Sequence, residues 1–407
     1  MPNRQPPTVQ VGLPVRVYES GPGLRQEGAA IGLWANAWRA LEALGAADAL
    51  RPGHLQLSRV ELCSAEGRLL RAFGFLECEL GPAGAEFRGV RRAQLLQARG
   101  VRAHALYDCL PDPERIVRFG AAVTEVLADG ASGGGSGDGG GVAVRLSDGS
   151  TVSGSALIGA DGANSAVARH LGLPQPRYAG YVALRGVAEF PQRPAPPGGL
   201  PRDTIRQIWG AGVRAGLYPV THDSAYWYVC FNAGQEEAAA PPGSPEERQR
   251  AALAAVRGWG WEVEEAIRLT PPEDISWSRI TDRWTAGSFG RGLVSLAGDA
   301  AHPMTPNLGQ GGCVALEDAV VAGRALREAA DAAGGGRPSA ASLASCLRAY
   351  EAARSRRCLP LTVRSNLMGA ALQLPQPPVL ALRNAFVAAA FSPSHFLDHT
   401  AFDCGEL

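Results

Sequence analysis

The 407-residue sequence contains no lysine, so arginine supplies all 39 of its basic side chains. A nucleotide-binding loop of the Walker A type needs a lysine, and so does an enzyme that forms a Schiff base with its substrate. Both classes are therefore excluded. The 39 acidic residues balance the arginines, and a formal net charge of zero favours neither a nucleic-acid partner nor an anionic membrane surface.

Signals of export and of membrane insertion are also scarce. The eight cysteines are scattered, without a Cys-x-x-Cys pair or a secretory segment, which predicts reduced thiols rather than a disulfide framework. The best candidate for a membrane span, residues 379–391, is interrupted by Arg383 and Asn384. We expect an intracellular protein, and the choice between cytoplasm and organelle stays open because a targeting peptide could be missing from this chain.

Patterns for metal binding and for a catalytic triad are weak. His395 and His399 are four residues apart near Asp398, but no second pair of ligands accompanies them. This favours a tail or a helix surface over a metal site. We therefore predict no metal, and the sequence shows neither a Ser-His-Asp order nor a nucleophile elbow.

The most informative segment is residues 298–318, GDAAHPMTPNLGQGGCVALED. The apolar run 293–297 before it predicts a buried strand, and the spacing of the apolar residues after it predicts a helix. Asp299 therefore ends a strand, and a glycine-rich turn begins a helix. Asp299 can accept hydrogen bonds from sugar-like hydroxyls, and free N–H groups at residues 309–312 can face negative charge. The segment predicts a site for a hydroxyl-rich, anionic ligand.

This segment resembles the second flavin-binding motif of the class A flavoprotein monooxygenases. These are aromatic hydroxylases related to p-hydroxybenzoate and salicylate hydroxylases, with zeaxanthin epoxidase and plant-type FAD monooxygenases as relatives. The resemblance implies FAD as cofactor, NAD(P)H as co-substrate, O₂, and a small, electron-rich, aromatic substrate that is hydroxylated or epoxidised. It also implies that Asp299 binds the ribityl chain and that the turn places backbone N–H groups by the flavin ring. The residues of that turn are Pro306, Gly309, Gln310, Gly311 and Gly312.

A second segment, LIGADGANS at residues 157–165, matches the Asp-Gly motif that lies near the cofactor pyrophosphate in the family. Asp161 and Gly162 are the matching residues. Relatives continue with an arginine one position earlier than Arg169, and on a helix one position is a rotation of about 100°. Arg169 is therefore not assigned the role of the usual arginine. The alternative is a structural turn with a helix cap.

Three further residues match cofactor-binding positions of the family. Glu19 follows a predicted strand and would accept from the adenosine ribose. Arg25 would pair with cofactor phosphate, and a solvated surface arginine is an equal alternative. Arg92, before a pair of leucines, would contact the cofactor, and a solvated basic face is the alternative.

Residues 177–232 contain several short, aromatic-rich strands that match the substrate domain of the family. Side chains that alternate along such strands would line a pocket over the flavin ring. Arg185, Arg214, Tyr218 and Tyr228 are the polar candidates, and Tyr218 or Tyr228 could assist deprotonation of a phenolic substrate. We expect more of the aromatic side chains to be core than pocket.

The order of predicted elements indicates an α/β fold, with a Rossmann-like FAD-binding domain, an inserted, mainly antiparallel β-sheet substrate domain, and C-terminal helices. We predict the first part of the FAD-binding domain at 1–175, with 58–90 contributing to the substrate domain. The substrate domain follows at 176–285, the return of the FAD-binding domain with long helices at 286–370, and a tail at 371–407. Among the local elements, we predict a helix over 31–50, a helix beginning at Arg92, and a single strand over 152–158. We also predict a strand pair over 58–64 and 69–75, joined at Glu66 and Gly67, and long helices near 312–333 and 340–370.

The family begins with a strand and a Gly-x-Gly-x-x-Gly turn, and this sequence shows no such fingerprint before Glu19. We expect the first βα unit to be missing. Losing two or three donors and the helix dipole would cost about 4–10 kcal/mol of FAD binding, or about three to seven decades in affinity. Two alternatives therefore stay open. One is a cofactor-free relative that acts by binding or is a non-functional fragment, and the other is a flavin oxidoreductase that acts on a lipid or isoprenoid.

Overall fold

The computed structural model describes residues 12–24, 30–78, 85–96, 106–130, 141–190, 199–334 and 336–407. The strands in this part of the chain are β1 Val17–Tyr18, β2 Ala30–Trp34, β3 Gln56–Leu57, β4 Arg59–Ser64, β5 Leu69–Gly74, β6 Phe87–Arg91, β7 Val117–Arg118, β8 Val123–Asp129, β9 Val142–Leu146, β10 Thr151–Gly154, β11 Leu157–Gly159, β12 Arg177–Glu189, β13 Thr204–Trp209, β14 Val213–Thr221, β15 Ser224–Asn232, β16 Ser276–Asp282 and β17 Val294–Leu296. The helices are α1 Ala35–Ala43, α2 Ala47–Leu50, α3 Arg92–Leu96, α4 Pro113–Ile116, α5 Ala166–His170, α6 Gln235–Ala239, α7 Pro245–Ala255, α8 Val263–Leu269, α9 Gly311–Asp331, α10 Ala340–Leu372, α11 Pro377–Ala390 and α12 Pro393–Leu397.

The fold is α/β, and its largest sheet is mainly antiparallel. This seven-stranded sheet has the order β16-β12-β15-β14-β13-β4-β5. All its pairs are antiparallel except β13–β4, which is parallel. The strand pair β4–β5, predicted from the turn residues at Glu66 and Gly67, is confirmed, and Gly67 takes the positive φ of 90° that this turn requires.

The two faces of the seven-stranded sheet meet different surroundings, because side chains alternate along each strand. On one face Leu184, Trp227 and Val229 form a core with α7 and α8, and Trp227 donates to Thr270 Oγ1 at 2.8 Å. On the opposite face Tyr218 and Tyr226 join a core that contains residues of β2, α1 and α9. This second face therefore looks towards the glycine-rich turn before α9.

Parallel pairing occurs in two further places. β1 pairs with β7, and β11 pairs with β17. Tyr18 of β1 and Leu157 of β11 pack against one hydrophobic core. The carboxyl ends of β11 and β17 lie side by side, because Gly159 is paired with Leu296 and its carbonyl oxygen accepts from Ala297 N at 2.9 Å. Asp161 and Asp299 consequently follow neighbouring strands at the same edge.

Two of the predicted local elements are wrong. Residues 30–34 form strand β2 rather than the start of a helix, because Gly32 faces Gly89 across the β2–β6 pair and a side chain there would lie 2.6 Å from the Phe87 ring. The predicted strand over 152–158 is broken into β10 and β11, which belong to different sheets. The helix predicted from Arg92 begins there and ends at Leu96, and residues 97–105 lie outside the described part of the chain.

The long helices predicted near 312–333 and 340–370 are confirmed as α9 and α10. They pack against each other, and α9 also packs against α1. Their contact buries charged side chains, including Glu317 and Asp318 of α9 and Arg354 of α10. Among the described residues, no helix combines the length and the apolarity that crossing a membrane requires.

Candidate functional site

The segment that carried the sequence prediction forms a strand, a turn and a helix. β17 ends at Leu296, a short 3-10 turn covers Gly298–Ala300, and a second one covers Pro306–Leu308 before α9 begins at Gly311. Asp299 is exposed to solvent, and its Oδ1 lies 3.9 Å from the place that a Cβ on Gly311 would take. The carboxylate and the N-terminus of α9 are therefore direct neighbours.

The N-terminus of α9 is open to a ligand. Its N-cap residue, Gln310, makes no side-chain cap hydrogen bond, and the first turn carries no acidic residue. Gly309 has a φ of 63°, and a Cβ on Gly312 would lie 2.2 Å from Ile31 Cδ1, so both positions need glycine. Backbone N–H groups at a helix N-terminus that no side chain caps attract negative charge.

Asp299 has no hydrogen bond or ion pair with another described residue. Although the residue reaches solvent, the protein packed around its carboxyl partly desolvates the charged form and raises the pKa of this group, and the positive charges of His302 and Arg92 offset part of this effect. Arg185 of β12 also lowers the pKa of Asp299. Asp299 thus offers an acceptor that no other described residue engages, next to the α9 N-terminus and within electrostatic reach of α3 and the seven-stranded sheet.

Asp318 holds the turn that carries Asp299. Its buried carboxylate accepts from the Gly298 backbone N–H at 2.7 Å, from His302 Nε2 at 2.7 Å and from Arg354 Nε at 2.6 Å. His302, Asp318 and Cys358 bring ligand atoms within 4.8 Å of one another. However, three donors already occupy the Asp318 carboxylate, so this cluster is built as an ion-pair network and does not suit a divalent cation.

The network continues to the start of α9 and to α1. Arg354 also donates to Glu317 Oε2 at 2.7 Å, and Arg357 donates to Glu317 Oε1 at 3.0 Å. Asn36 of α1 donates to Glu317 Oε1 at 2.7 Å and to Gln310 Oε1 at 2.8 Å. The Gln310 side chain, which the resemblance places among cofactor-binding residues, is thus buried and bonded to Asn36. Gln310 can therefore contact a ligand only through its backbone atoms.

The buried pair of His302 and Asp318 predicts a pH dependence of stability. Burial alone would lower the pKa of His302, but the Asp318 carboxylate raises it well above its ordinary value. Above about pH 6.5 an unfolded histidine has lost its proton whereas folded His302 keeps it, so the folded state binds more protons. We expect the free energy of unfolding to fall by about 1.4 kcal/mol per pH unit from this group as pH rises from about 6.5 to 8, and the full contribution to be present below that window.

Urea unfolding of the wild type and of His302→Asn across this pH window measures the effect. Asparagine keeps a donor for Asp318 but carries no charge, so the variant should lack this part of the slope. Other histidines contribute equally to both proteins. Burial lowers the pKa of His399 to about 4. This group therefore changes the free energy of unfolding only below about pH 6.5, where an unfolded histidine takes up a proton and folded His399 does not. Equal slopes in the two proteins would show that His302 carries no extra proton.

The other predicted cofactor residues have definite positions. Glu19 is half-buried after β1, and its Oε1 accepts from Gly21 N at 2.7 Å. Arg92 is exposed at the start of α3 and close enough to Asp299 to act on its pKa. Asp161 caps α5 by accepting from Ala166 N at 2.7 Å and from the Ser165 hydroxyl, and Gly162 has a φ of 79°. Arg25 lies outside the described residues.

The face of the seven-stranded sheet that looks towards the glycine-rich turn carries a row of aromatic rings. Tyr218 lies 5.3 Å from Phe87 and 4.9 Å from Tyr226, and Tyr226 lies 6.3 Å from Tyr228, measured between ring centroids. Gly89 leaves room for this row, because a Cβ there would lie 2.6 Å from the Tyr218 ring. Burial raises the pKa of Tyr226 to about 12 and also raises the pKa values of Tyr218 and Tyr228. At neutral pH all three hydroxyls are therefore protonated.

Arg214 connects this face to the glycine-rich turn. Its guanidinium is buried, donates from Nε to Gln373 Oε1 at 2.8 Å and from a terminal nitrogen to Asn307 Oδ1, and lies over the Tyr181 ring. Asn307 belongs to the 3-10 turn Pro306–Leu308. Arg214 therefore positions that turn from within the core, whereas Arg185 is only half-buried.

Sequence reasoning missed several residues that build the site. Asn36 and Arg354 lie outside every motif, and Asn307 and Asp318 lie within the segment 298–318 but were assigned no role. One signal was available in α10, where Glu351 and Arg354 lie at the spacing of one helix face with the apolar residues Leu347, Tyr350, Cys358 and Leu361. Charged residues on an otherwise apolar helix face indicate a buried ion pair.

The residues present fit an FAD. Asp299 offers to hydroxyl groups a carboxylate that no side chain in the described part of the chain engages, and the uncapped α9 N-terminus offers N–H groups to a ring edge that gains negative charge. The positive φ at Gly309 and the contact that a Cβ on Gly312 would make with Ile31 both require glycine, so this part of the site consists of backbone.

The comparisons with known proteins agree with this geometry. Residues 120–358 match the family described as FAD binding domain. The chain is 31% identical, over 88% of its length and 84% of the relative's, to aurachin C monooxygenase/isomerase of Stigmatella aurantiaca. It is also 31% identical, over 88% of its length and 84% of the relative's, to FAD-dependent urate hydroxylase of Klebsiella pneumoniae. The crystal structure of Klebsiella pneumoniae HpxO with FAD and uric acid is similar to 97% of this chain and 91% of its own, with a TM-score of 0.76 and 27% identity. The chain therefore belongs to the class A FAD-dependent monooxygenases.

Proposed function

We propose that this chain binds FAD at Asp299 and the α9 N-terminus and uses NAD(P)H and O₂ to hydroxylate or epoxidise a small, electron-rich, aromatic substrate. One observation carries the assignment of the substrate pocket. Tyr218 and Tyr226 of the sheet share one hydrophobic core with Cys313 of α9, and the Arg185 guanidinium on the same sheet face lowers the pKa of Asp299 as well as those of Tyr218 and Tyr226. The aromatic face of the seven-stranded sheet and the glycine-rich turn thus border the same cleft.

In this proposal, different residues bind different parts of FAD. Asp299 holds the ribityl chain, and the backbone N–H groups of residues 309–312 stabilise negative charge on the flavin ring. Glu19 accepts from the ribose, Arg92 approaches the cofactor from α3, and Asp161 and Gly162 shape the turn beside it. When bound, FAD supplies the redox chemistry, and the protein orients and shields it.

The tyrosines of the sheet face are proposed to orient the substrate. Because their pKa values are raised, Tyr218 and Tyr228 are hydrogen-bond donors at neutral pH and poor proton acceptors. A hydroxyl of this kind stabilises an oxygen of the substrate without taking its proton. The surrounding rings exclude water from the reacting face.

We also propose that the two parallel strand pairs belong to one nucleotide-binding sheet, since β1 and β11 pack against a shared core. The strand that would join them, with its glycine-rich turn, is not among the described residues. In this proposal residues 1–175 and 286–370 form the FAD-binding domain, 176–285 form the substrate domain together with strands from 58–90, and 371–407 form the C-terminal tail.

Reaction of the purified chain with FAD, NAD(P)H and ¹⁸O₂ tests the function. The substrate panel includes simple phenols and, from the relatives, uric acid and aurachin C. We expect substrate-stimulated NAD(P)H oxidation and one labelled oxygen atom in the product. A chain that retains no flavin after addition of FAD would support the cofactor-free alternative instead. A chain that retains flavin but dehydrogenates a lipid or isoprenoid without incorporating the label would support the oxidoreductase alternative.

A further inference from the structure

We propose that a cleft on the outer side of the seven-stranded sheet is a second binding site, and that it takes a small organic cation with an apolar body. This outer cleft lies between strands β14, β15 and β16 and helices α6 and α7, and its volume is about 740 Å³. Sites for small molecules typically measure about 300–1,000 Å³. The proposal goes beyond the proposed function, because none of the residues assigned there to FAD or to the substrate lines the outer cleft.

The outer cleft and the glycine-rich turn lie on opposite faces of the sheet. Trp277 of β16 is paired with Leu184 of β12, and Phe231 and Trp277 pack against the core that Leu184 forms with α7 and α8. Tyr218 and Tyr226 belong to the core on the other face, together with residues of α1 and α9. The sheet therefore separates a ligand in the outer cleft from the proposed flavin.

Short side chains on α7 leave the outer cleft open. The residues of α7 that line it are Ala251, Ala254 and Ala255. Further along the sheet, where α8 adds its cover, Trp227 is fully buried, whereas Phe231 and Trp277 are only half-buried. Their ring centroids lie 5.9 Å apart, with an angle of 69° between the rings. Alanine side chains are too short to cover this ring pair, so it forms an aromatic wall of the outer cleft.

Glu237 of α6 gives the outer cleft its charge. It is the one charged side chain among the described residues of the lining. Its Oε2 accepts from the Gly234 backbone N–H at a long 3.4 Å, and no residue that the structure describes forms an ion pair with it. The lining therefore combines one uncompensated carboxylate with two aromatic rings.

The chemistry of this lining identifies the ligand class. A carboxylate attracts an ammonium group, and the face of a tryptophan or phenylalanine ring attracts the same group through its quadrupole. The remaining wall is apolar and includes Val213, Pro242 and Pro375, so a ligand with a hydrocarbon or aromatic body gains from burial there. An inorganic cation gains nothing from this wall, and an anion is repelled by Glu237. An arylalkylammonium ion meets all three features.

Isothermal titration calorimetry on the FAD-loaded full chain tests the proposal with 2-phenylethylamine, a cation at neutral pH, and 2-phenylethanol, its neutral analogue. We expect the amine to bind about 5- to 30-fold more tightly than the alcohol, through the combined attraction of the carboxylate and the rings. Glu237→Gln should weaken amine binding by about two- to fivefold and leave alcohol binding unchanged. Glu236→Gln is the matched control, because Glu236 is exposed on the same helix and lies outside the lining. It should change neither affinity.

A variant that fills the outer cleft locates the bound probe. Ala254 is exposed on α7, so Ala254→Phe should abolish binding of both probes and leave the affinity for FAD unchanged. The amine should also leave the absorbance of the flavin unchanged, because the sheet lies between them. Undetectable amine binding, equal affinity for the two probes, or amine binding that survives Ala254→Phe or perturbs the flavin would overturn the proposal. Failure of the proposed function is distinguishable, since a chain that retains no flavin can be titrated with the same probes.

Discussion

Replacing Arg354 by methionine is expected to lower the free energy of unfolding by about 3–5 kcal/mol, the range found when one partner of a buried ion pair is removed. Arg354 is 1% exposed and donates to both Asp318 and Glu317, which are fully buried. Methionine fills a similar volume but removes the cation that the two carboxylates share, so that Asp318 keeps only His302 and Glu317 keeps only Arg357 as a cation. The buried network then carries an uncompensated negative charge, and the cost of keeping this charge out of water is the source of the expected loss.

Urea unfolding measures the loss, and Arg364→Met on the same helix is the control. Arg364 pairs with Asp398, and the two side chains are 36% and 56% exposed, so its removal should cost less than about 1 kcal/mol. Combining Arg354→Met with Asp318→Asn and Glu317→Gln should recover part of the stability, because it removes the uncompensated charges. A loss no larger than that of Arg364→Met would contradict the assignment of a buried network.

The same variant should weaken FAD binding, because Asp318 holds the turn that carries Asp299. Asp318 accepts from the Gly298 N–H, one residue before Asp299, and its other carboxylate oxygen is held by Arg354. A loss of flavin affinity in Arg354→Met under conditions where the chain stays folded would separate this positioning effect from stability.

The glycine-rich turn could be predicted from the sequence because its elements are contiguous. An apolar run, an acidic residue, a proline turn and glycines followed by a helical pattern are all local signals, and β17, Asp299 and α9 appear in that order. The aromatic strands were also visible in sequence. Their pairing was not, since register depends on strands that are distant along the chain.

The strand at 30–34 shows why periodicity alone failed. Leu33, Ala37 and Leu41 have the spacing of one helix face, and all three are buried. Only Ala37 and Leu41 are helical, because Gly32 and Gly89 let β2 and β6 approach under the Tyr218 ring. The pairing partner, 57 positions away along the chain, overrode the local pattern.

Arg185 and Arg214 illustrate a second limit of the sequence. Both were candidates for the same pocket because both lie in strands of the aromatic insert. The structure buries Arg214 against amide oxygens of Gln373 and Asn307, and leaves Arg185 without a partner among the described residues. The difference depends on α10 and on the 3-10 turn before α9, which reach Arg214 only in the folded chain.

Asp299→Ala is expected to weaken FAD binding by about 10- to 10,000-fold, as one or two hydrogen bonds to a charged acceptor contribute about 1.5–3 kcal/mol each. Equilibrium dialysis or quenching of flavin fluorescence measures the dissociation constant. Asp299→Asn, which keeps one acceptor oxygen, should lose less. Asp274→Ala, at an exposed turn residue, should bind FAD as the wild type does.

The stability of the FAD-free chain separates a binding role from a folding defect. The surroundings of Asp299 raise its pKa, which means that they disfavour the charged form in the folded state. Removing the carboxylate should therefore leave the urea midpoint of the FAD-free chain unchanged or higher at neutral pH. Lower flavin affinity together with an undiminished midpoint would identify Asp299 as a ligand-binding group. An unchanged dissociation constant would remove it from the cofactor site, and a lower midpoint would show that it supports the turn instead.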